Sequence, residues 1–228
     1  MEKKKININK KKVFLLGSTG MLGHVLCQYL LKKNKYLIYC FGRRNLSTFL
    51  PNIVKEIEEI KFDLQHDPIS LLEKNLKNIK PDFIINCIGL VKQRVNSSVI
   101  DDSVLINASF VKNLEKLIQK NNLHTKLIHL STDCVFSGKK GNYKECDIVD
   151  PIDIYGMSKS MGEIQFSKNV VTLRTSIIGF ELDRKIGLLE WFFNNENKKI
   201  KGFNKFFFSG LTTFELSKII EKTILQNF

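Results

Sequence analysis

The sequence has no long hydrophobic run and no pattern typical of secretion. No apolar stretch approaches the roughly 18 residues that a membrane-spanning helix needs. The lysine-rich start of the chain lacks the apolar region that a signal peptide requires. We therefore predict no membrane segment and a cytoplasmic location. We read residues 1–11 as a polar N-terminal tail.

Cysteine pairs and metal-ligand spacings are missing too. The five cysteines are scattered without a Cys-x-x-Cys pair, and their odd number argues against a disulfide framework. The four histidines show no spacing typical of metal ligands. We predict no metal site.

The net charge of +13 raises the question of nucleic-acid binding. The lysines are spread along the chain and are not interleaved with aromatic residues and arginines. This pattern favours a solvated basic surface that attracts anionic, phosphorylated ligands. We predict no nucleic-acid partner.

Strand and helix patterns alternate along the first three quarters of the chain. Such alternation predicts an α/β fold, a Rossmann-like doubly wound parallel sheet with helices on both faces. We predict strands at residues 13–17, 36–41, 59–62, 83–88, 126–130 and 170–174, and helices at 20–33, 68–77, 104–121 and 154–166. Beyond residue 176 two further helices, 188–194 and 213–225, flank an aromatic stretch. We therefore assign residues 12–176 to a dinucleotide-binding domain and residues 177–228 to a small, partial substrate-binding lobe.

A glycine-rich segment lies between the first predicted strand and the first predicted helix, which is the context of a dinucleotide-binding turn. Its glycines would permit a tight turn, a close approach of a pyrophosphate and close helix packing. The alternative is a purely structural turn. The cofactor-binding residues predicted here are Gly17, Ser18, Thr19, Gly20, Met21, Leu22 and Gly23.

The residues after the second strand indicate the type of nucleotide. An NAD site usually carries an acid here, but the chain has Arg43 and Arg44. A guanidinium pairs well with a 2′-phosphate, so we predict NADP(H) over NAD(H). The alternative is that both arginines are solvated surface charges.

Two further segments follow predicted strands and are candidates for cofactor contact. After the third strand, Asp63 could accept from the adenine amine while Leu64 packs on the ring, although a simple loop aspartate is an open alternative. After the fourth strand, we expect the backbone to run beside the cofactor. The residues of that segment are Cys87, Ile88 and Gly89, and Asn86 before them could serve only local backbone groups.

Tyr155 and Lys159 are four residues apart in a predicted helix and so share one face. An ammonium near a phenol lowers the phenol pKa, and such a tyrosine can exchange a proton with a carbonyl or hydroxyl. Thr132 follows the fifth strand, at the sheet edge where ligands bind in open α/β folds. We predict catalytic roles for all three. The alternative for Lys159 is an ordinary exposed lysine on a helix. The alternative for Thr132 is that the Ser131–Asp133 loop only caps the turn that follows.

These motifs together resemble those of extended short-chain dehydrogenases/reductases, and within them the dTDP-4-dehydrorhamnose reductase group. The segments that carry the resemblance are Gly17–Gly23, Ser131–Gly138, Asp150–Pro151, Tyr155–Lys159, Leu173–Ser176 and Ser209–Thr213.

The resemblance implies NADPH-dependent reduction of a nucleotide-linked 4-keto-6-deoxy sugar for surface polysaccharide synthesis. Tyr155 would protonate the alkoxide, Lys159 would lower the tyrosine pKa and hold the nicotinamide ribose, and Thr132 would orient the carbonyl. We expect Asp133, Asn107 and Arg174 to lie at the substrate site, and Trp191 could stack on a base or sugar.

The chain departs from the family pattern at residues 90–94 and at Leu211, which replaces a usual proline, so the sugar stays open. It also stops at Phe228, where family members normally continue, so the natural protein is unusually short or the chain is a fragment. In both cases we expect an intact cofactor half, and the sugar site could be incomplete. The aromatic run at residues 206–208 could also stack on a base or sugar, and the alternatives are core, a homodimer contact or a face for missing residues. The remaining alternatives are an epimerase or dehydratase of the same superfamily, and a non-catalytic NADP-binding subunit resembling the regulatory subunit of methionine adenosyltransferase.

Overall fold

The structure is a computed structural model that describes residues 10–91, 99–121, 123–205 and 207–228. Three of the features predicted above lie wholly or partly outside these residues. They are most of the polar tail, positions 92–94 of the divergent segment, and Phe206. Lys11, which we assigned to the tail, already pairs with Tyr36 in the sheet.

Six parallel strands form one sheet in the order β3-β2-β1-β4-β5-β6, which confirms the predicted doubly wound fold. Helices cover both faces, and this explains the apolar runs of the central strands. The strands are β1 (Lys11–Leu16), β2 (Tyr36–Gly42), β3 (Ile57–Lys61), β4 (Phe83–Asn86), β5 (Lys126–Ser131) and β6 (Val170–Arg174). The strand order reverses between β1 and β4, so a crevice opens at their carboxyl ends.

The helices pack in two layers, one on each face of the sheet. Successive residues of a strand point to opposite faces. Val13 and Leu15 therefore join the layer on one face, and Phe14 and Leu16 join the layer on the other. The helices are α1 (Gly23–Lys32), α2 (Ile69–Ile79), α3 (Ile100–Val104), α4 (Phe110–Lys120), α5 (Ile154–Gly162), α6 (Leu188–Phe193) and α7 (Thr213–Gln226), with a π-helical turn, Leu105–Ser109, joining α3 to α4.

The last helix belongs to the first domain by its packing. Leu216, Ile220 and Ile224 of α7 are buried in the same apolar cluster as Leu26 and Leu30 of α1. The sequence assigned α7 to the C-terminal lobe, because a periodic helix pattern does not reveal which layer the helix covers. The domain boundary at residue 176 stays a prediction. Helix α7 follows this boundary in the sequence but packs on the Rossmann domain.

The segment between β6 and α7 makes a second, two-stranded parallel sheet of β7 (Ile177–Ile178) and β8 (Leu211–Thr212). Around it many aromatic side chains are exposed, including Phe192, Phe193 and Phe207. The homodimer contact that we predicted for the run at residues 206–208 stays a prediction. Within the described residues no helix has the length and apolarity to cross a bilayer.

Helix α5 ends earlier than the predicted residue 166. A Cβ on its last residue, Gly162, would lie 2.0 Å from the carbonyl oxygen of Asn107 in the π-helical turn. Glu163 then adopts an extended conformation (φ −68°, ψ 135°). The glycine thus allows α5 to end in direct contact with the backbone of the neighbouring helix.

Candidate functional site

The glycine-rich turn is held between the ends of β2 and β4. The amides of Gly17 and Ser18 both donate to the Phe41 carbonyl, at 2.8 and 3.2 Å. Gly17 has φ +79°, and a Cβ there would lie 3.0 Å from the backbone of Cys87 and Ile88. Only glycine can adopt this positive φ and also approach the neighbouring backbone so closely without strain.

The first turn of α1 packs closely against the glycine-rich turn. A Cβ on Gly23 would lie 2.2 Å from the Gly17 carbonyl oxygen, so this glycine is what allows the turn and the helix to pack together. The first turn carries no acidic side chain, and the N-cap residue, Leu22, makes no side-chain capping bond. Helix N-terminal amides attract phosphate through their partial positive charge, so the turn fits a pyrophosphate.

Two side chains of the turn have packing roles. Leu22 is buried in the apolar cluster between α1 and α7. Met21 lies against Gly179 and Gly187, where a Cβ on either glycine would approach the Met21 side chain to 3.2 and 3.3 Å. The segment after β7 therefore packs against the turn, and contact of Met21 and Leu22 with a cofactor stays a prediction.

Arg43 and Arg44 are exposed just beyond the end of β2. Arg44 pairs with Asp183, its Nη2 lying 2.6 Å from Oδ2, and its guanidinium carbon lies 4.9 Å from the Phe49 ring centroid. The alternative of two freely solvated arginines therefore does not describe Arg44.

The segments after β3 and β4 make local hydrogen bonds. The Asp63 carboxylate accepts from the Gln65 amide at 3.2 Å, as a loop aspartate does, and Leu64 packs on the α2/α4 face. Asn86 accepts from the Ile88 amide at 3.1 Å, so it serves a local backbone group. Contact of Asp63 and Leu64 with adenine stays a prediction.

Beyond β4, the chain passes the predicted catalytic helix. Cys87 donates its amide to Leu16 on β1, and burial raises the pKa of its thiol to about 12. A Cβ on Gly89 would lie 3.5 Å from Asn107 Oδ1 and 3.8 Å from Lys159 Nζ. Ile88 and Gly89 therefore connect the glycine-rich turn to the lysine.

Tyr155, Lys159 and Thr132 come together at the carboxyl edge of the sheet. Asp153 caps α5 by accepting from the Gly156 amide, which starts the helix one residue before Tyr155. Thr132 is buried after β5, where its hydroxyl donates to Asp133 at 3.2 Å and accepts from the Cys134 amide at 3.1 Å, and it lies close enough to Tyr155 to affect the pKa of the phenol. Lys159 is 4% exposed and donates to the Leu130 carbonyl at 2.5 Å.

The proton affinities in this cluster differ from the sequence expectation. Burial raises the pKa of Tyr155 to about 12, against the opposing hydrogen bond from Thr132. Burial also lowers the pKa of Lys159 to about 8. The expected lowering of the tyrosine pKa by the lysine is therefore not realised, because desolvation of the phenol dominates and the ammonium is turned to a carbonyl.

Asn107 is enclosed by the protein, and its predicted role at the substrate site stays a prediction. It is fully buried in the π-helical turn. Its Oδ1 accepts from the Leu90 amide at 2.9 Å, and its Nδ2 donates to the Leu90 carbonyl and to Ser158 Oγ. With its bonds so used, Asn107 fixes the segment after β4 to helix α5.

Arg174 is likewise engaged by the protein and not free for a substrate. Its guanidinium makes three bonds of 2.7 to 3.2 Å to the Glu163 carboxylate, which is 4% exposed. Glu163 also accepts from Ser131 Oγ at 2.6 Å. Sequence reasoning missed Glu163. The position of Glu163, four residues after Lys159, was only a weak signal of a role near the site. Its pairing with Arg174, at the end of β6, depends on the tertiary structure.

The two remaining predicted substrate residues are accessible. Asp133 is exposed and accepts from Ser176 Oγ and Thr132 Oγ1, and Trp191 on α6 is about half exposed. Their contact with a sugar nucleotide stays a prediction. The described residues include no cluster of His, Cys, Asp or Glu able to hold a metal ion.

The parallel sheet, the glycine-rich turn and the Thr132/Tyr155/Lys159 cluster define an extended short-chain dehydrogenase/reductase. The pattern of the family described as the RmlD substrate binding domain matches residues 11–185. The chain belongs to this family.

Individual relatives agree with the family. The chain is 27% identical over 169 residues to a dTDP-4-dehydrorhamnose reductase of Aggregatibacter actinomycetemcomitans, covering 72% of this chain and 51% of that protein. It is 25% identical over 187 residues to methionine adenosyltransferase 2 subunit beta of Bos taurus, covering 78% of this chain and 50% of that protein. The chain thus spans about half the length of these curated relatives.

A solved structure is similar over nearly the whole chain. It is a dTDP-4-dehydrorhamnose reductase of Bacillus anthracis in complex with NADP, with a TM-score of 0.76 and 26% identity, covering 95% of this chain and 71% of that one.

Proposed function

We propose that the chain is an NADPH-dependent reductase acting on a nucleotide-linked 4-keto-6-deoxy sugar. The observation that carries the proposal is the convergence of Thr132, Tyr155 and Lys159 beside the glycine-rich turn. The names of two relatives, one of them solved with NADP, support the same reaction. When bound, the nicotinamide would supply the hydride.

Tyr155 suits the role of proton donor in a reduction. A phenol whose pKa is raised to about 12 holds its proton at neutral pH, and the developing alkoxide of the substrate needs that proton. Thr132, which lies close enough to Tyr155 to affect the pKa of the phenol, would align the same carbonyl oxygen. These two residues would act together on one oxygen atom.

Lys159 would hold the nicotinamide ribose and replenish the proton of Tyr155. With its pKa lowered to about 8, it exchanges protons near neutral pH more readily than an exposed lysine. Its Nζ faces Gly89 at the edge of the crevice. Binding of a ribose would require it to loosen its bond to Leu130.

The test is NADPH oxidation with a panel of nucleotide-linked 4-keto sugars, in wild-type protein and the variant Tyr155→Phe. We expect turnover with at least one sugar and a loss of about 100-fold or more in Tyr155→Phe, with NADPH affinity unchanged. Tyr39→Phe removes a phenol from β2, away from the cluster, and is the matched control. Net NADPH consumption would exclude an epimerase or dehydratase, which retain their cofactor through the cycle.

A non-catalytic NADP-binding subunit is the second candidate, favoured by the similarity to methionine adenosyltransferase 2 subunit beta. It predicts tight NADPH binding, no turnover with any sugar of the panel, and no effect of Tyr155→Phe. Sugar-nucleotide binding is expected under the enzyme proposal.

A further inference from the structure

Arg44 lies on the ribose side of the glycine-rich turn. A Cβ on Gly42 would lie 3.3 Å from Ser18 Oγ, 3.8 Å from Thr19 Oγ1 and 3.2 Å from the Arg44 carbonyl oxygen. The end of β2 therefore touches the turn itself. In a doubly wound dinucleotide site, residues at this position face the 2′ group of the adenosine ribose.

A carboxylate reaches the same place from a distant part of the chain. Asp183, 139 residues beyond Arg44, lies between β7 and α6, and its Oδ2 is 2.6 Å from Arg44 Nη2. The pair raises the pKa of Arg44 and lowers the pKa of Asp183, as expected for two charges that stabilise each other. The tertiary structure thus supplies an acid that the residues following β2 lack.

The surroundings of the pair leave the guanidinium able to change partners. The Arg44 and Asp183 side chains are 50% and 43% exposed, so a ligand can reach both. Phe49 lies 4.9 Å from the guanidinium carbon and holds it near the end of β2. A 2′-phosphate offers Arg44 a more highly charged partner than one carboxylate does.

We propose that Asp183 is a selectivity-determining residue that weakens the preference for NADP(H) over NAD(H) by competing with the 2′-phosphate for Arg44. A 2′-phosphate must break the ion pair and then lie near a second negative charge. A 2′-hydroxyl does not need to break the ion pair and brings no second negative charge, and it can donate a hydrogen bond to the Asp183 carboxylate. The inference rests on the proposed dinucleotide site.

The expected effect is modest because both side chains are exposed. Exposed ion pairs are weak, so freeing Arg44 from Asp183 should strengthen binding of a 2′-phosphate by about three- to tenfold, including the relief of like-charge repulsion. Binding of a ligand with a 2′-hydroxyl should stay the same or weaken by about twofold, the scale of one exposed hydrogen bond.

The experiment measures calorimetric Kd values of the full chain for 2′,5′-ADP and 5′-AMP, which differ at the 2′ group, and for NADPH and NADH. Asp183→Asn is compared with wild type and with Glu196→Gln, which makes the same change in charge at another exposed position. Arg44→Met and the double variant complete a mutant cycle. Thermal unfolding of each variant checks that it is folded.

Competition predicts that Asp183→Asn raises the 2′,5′-ADP to 5′-AMP affinity ratio about three- to tenfold, that Glu196→Gln leaves it unchanged, and that the gain shrinks in the Arg44→Met background. An unchanged or lowered ratio in Asp183→Asn, with dinucleotide binding intact, would overturn this inference alone. Failure of the wild-type chain to bind any of the four ligands would overturn the proposed function and this inference with it.

Discussion

The close contact between Gly162 and Asn107 allows a direct test of the packing that positions helix α5 in the candidate site. A methyl group at position 162 would lie 2.0 Å from the Asn107 carbonyl oxygen and 3.0 Å from its carbonyl carbon. Both atoms are backbone, so no side chain can rotate away. Gly162→Ala should therefore push α5 from the π-helical turn by roughly an ångström.

The size of the effect follows from two opposing contributions. Overpacking of this kind costs about 1–3 kcal/mol. The gain in helix propensity is below about 1 kcal/mol, and it is small here because Gly162 is the last residue of α5. At about 2–4 °C per kcal/mol for a chain of this size, we expect the Tm to fall by about 3–8 °C.

Thermal unfolding followed by circular dichroism measures this shift, and Gly202→Ala is the matched control. A Cβ on Gly202 has open space around it, so that variant should keep the wild-type Tm within about 1–2 °C. Because α5 carries Tyr155 and Lys159, a displacement of about 1 Å should also lower any turnover by about 100-fold. Equal Tm values for the two alanine variants would refute the packing argument.

Two further predictions concern a buried lysine and an exposed cysteine. Burial lowers the pKa of Lys159 from 10.5 to about 8. Between these pH values the folded chain binds fewer protons than the unfolded chain, so the contribution of Lys159 to stability rises with pH. In urea unfolding, the stability of Lys159→Met relative to wild type should therefore be highest near pH 7 and lower at pH 9.5. A stability difference that does not change with pH would contradict this prediction. Cys146 is the one exposed thiol of the five cysteines. A disulfide reagent should therefore label one thiol rapidly in the native protein and all five in denaturant. A Cys146→Ser variant should lose the rapid phase.

The fold could be predicted from the sequence because its signals are local. The apolar strands, the glycine spacing and the Tyr155/Lys159 pair each follow from short-range patterns, and strand order then follows from the right-handed crossovers of alternating units. The predicted strands agree with the structure to within about two residues at most ends. The early end of α5 was missed, since Glu163 turns to an extended conformation where α5 meets Asn107, which is distant in sequence.

The roles of individual polar residues were harder to predict. Asn107 and Arg174 occupy positions typical of a substrate site, but the structure uses both to join its own elements. A polar side chain near a site can serve the ligand or the protein, and only its neighbours decide which. The pKa of Tyr155 shows the same limit, since spacing reveals a nearby charge but not the burial that outweighs it.

The sequence by itself determined the class of fold and predicted a place for a dinucleotide, because helix periodicity, strand alternation and glycine turns are encoded within a few residues of one another. Only the tertiary structure decided what surrounds that place. It brought Asp183 to Arg44 across 139 residues, set Glu163 against Arg174, and turned Lys159 to a backbone carbonyl. Charge pairing and burial depend on neighbours in space, and these are the quantities that set cofactor preference and proton affinity.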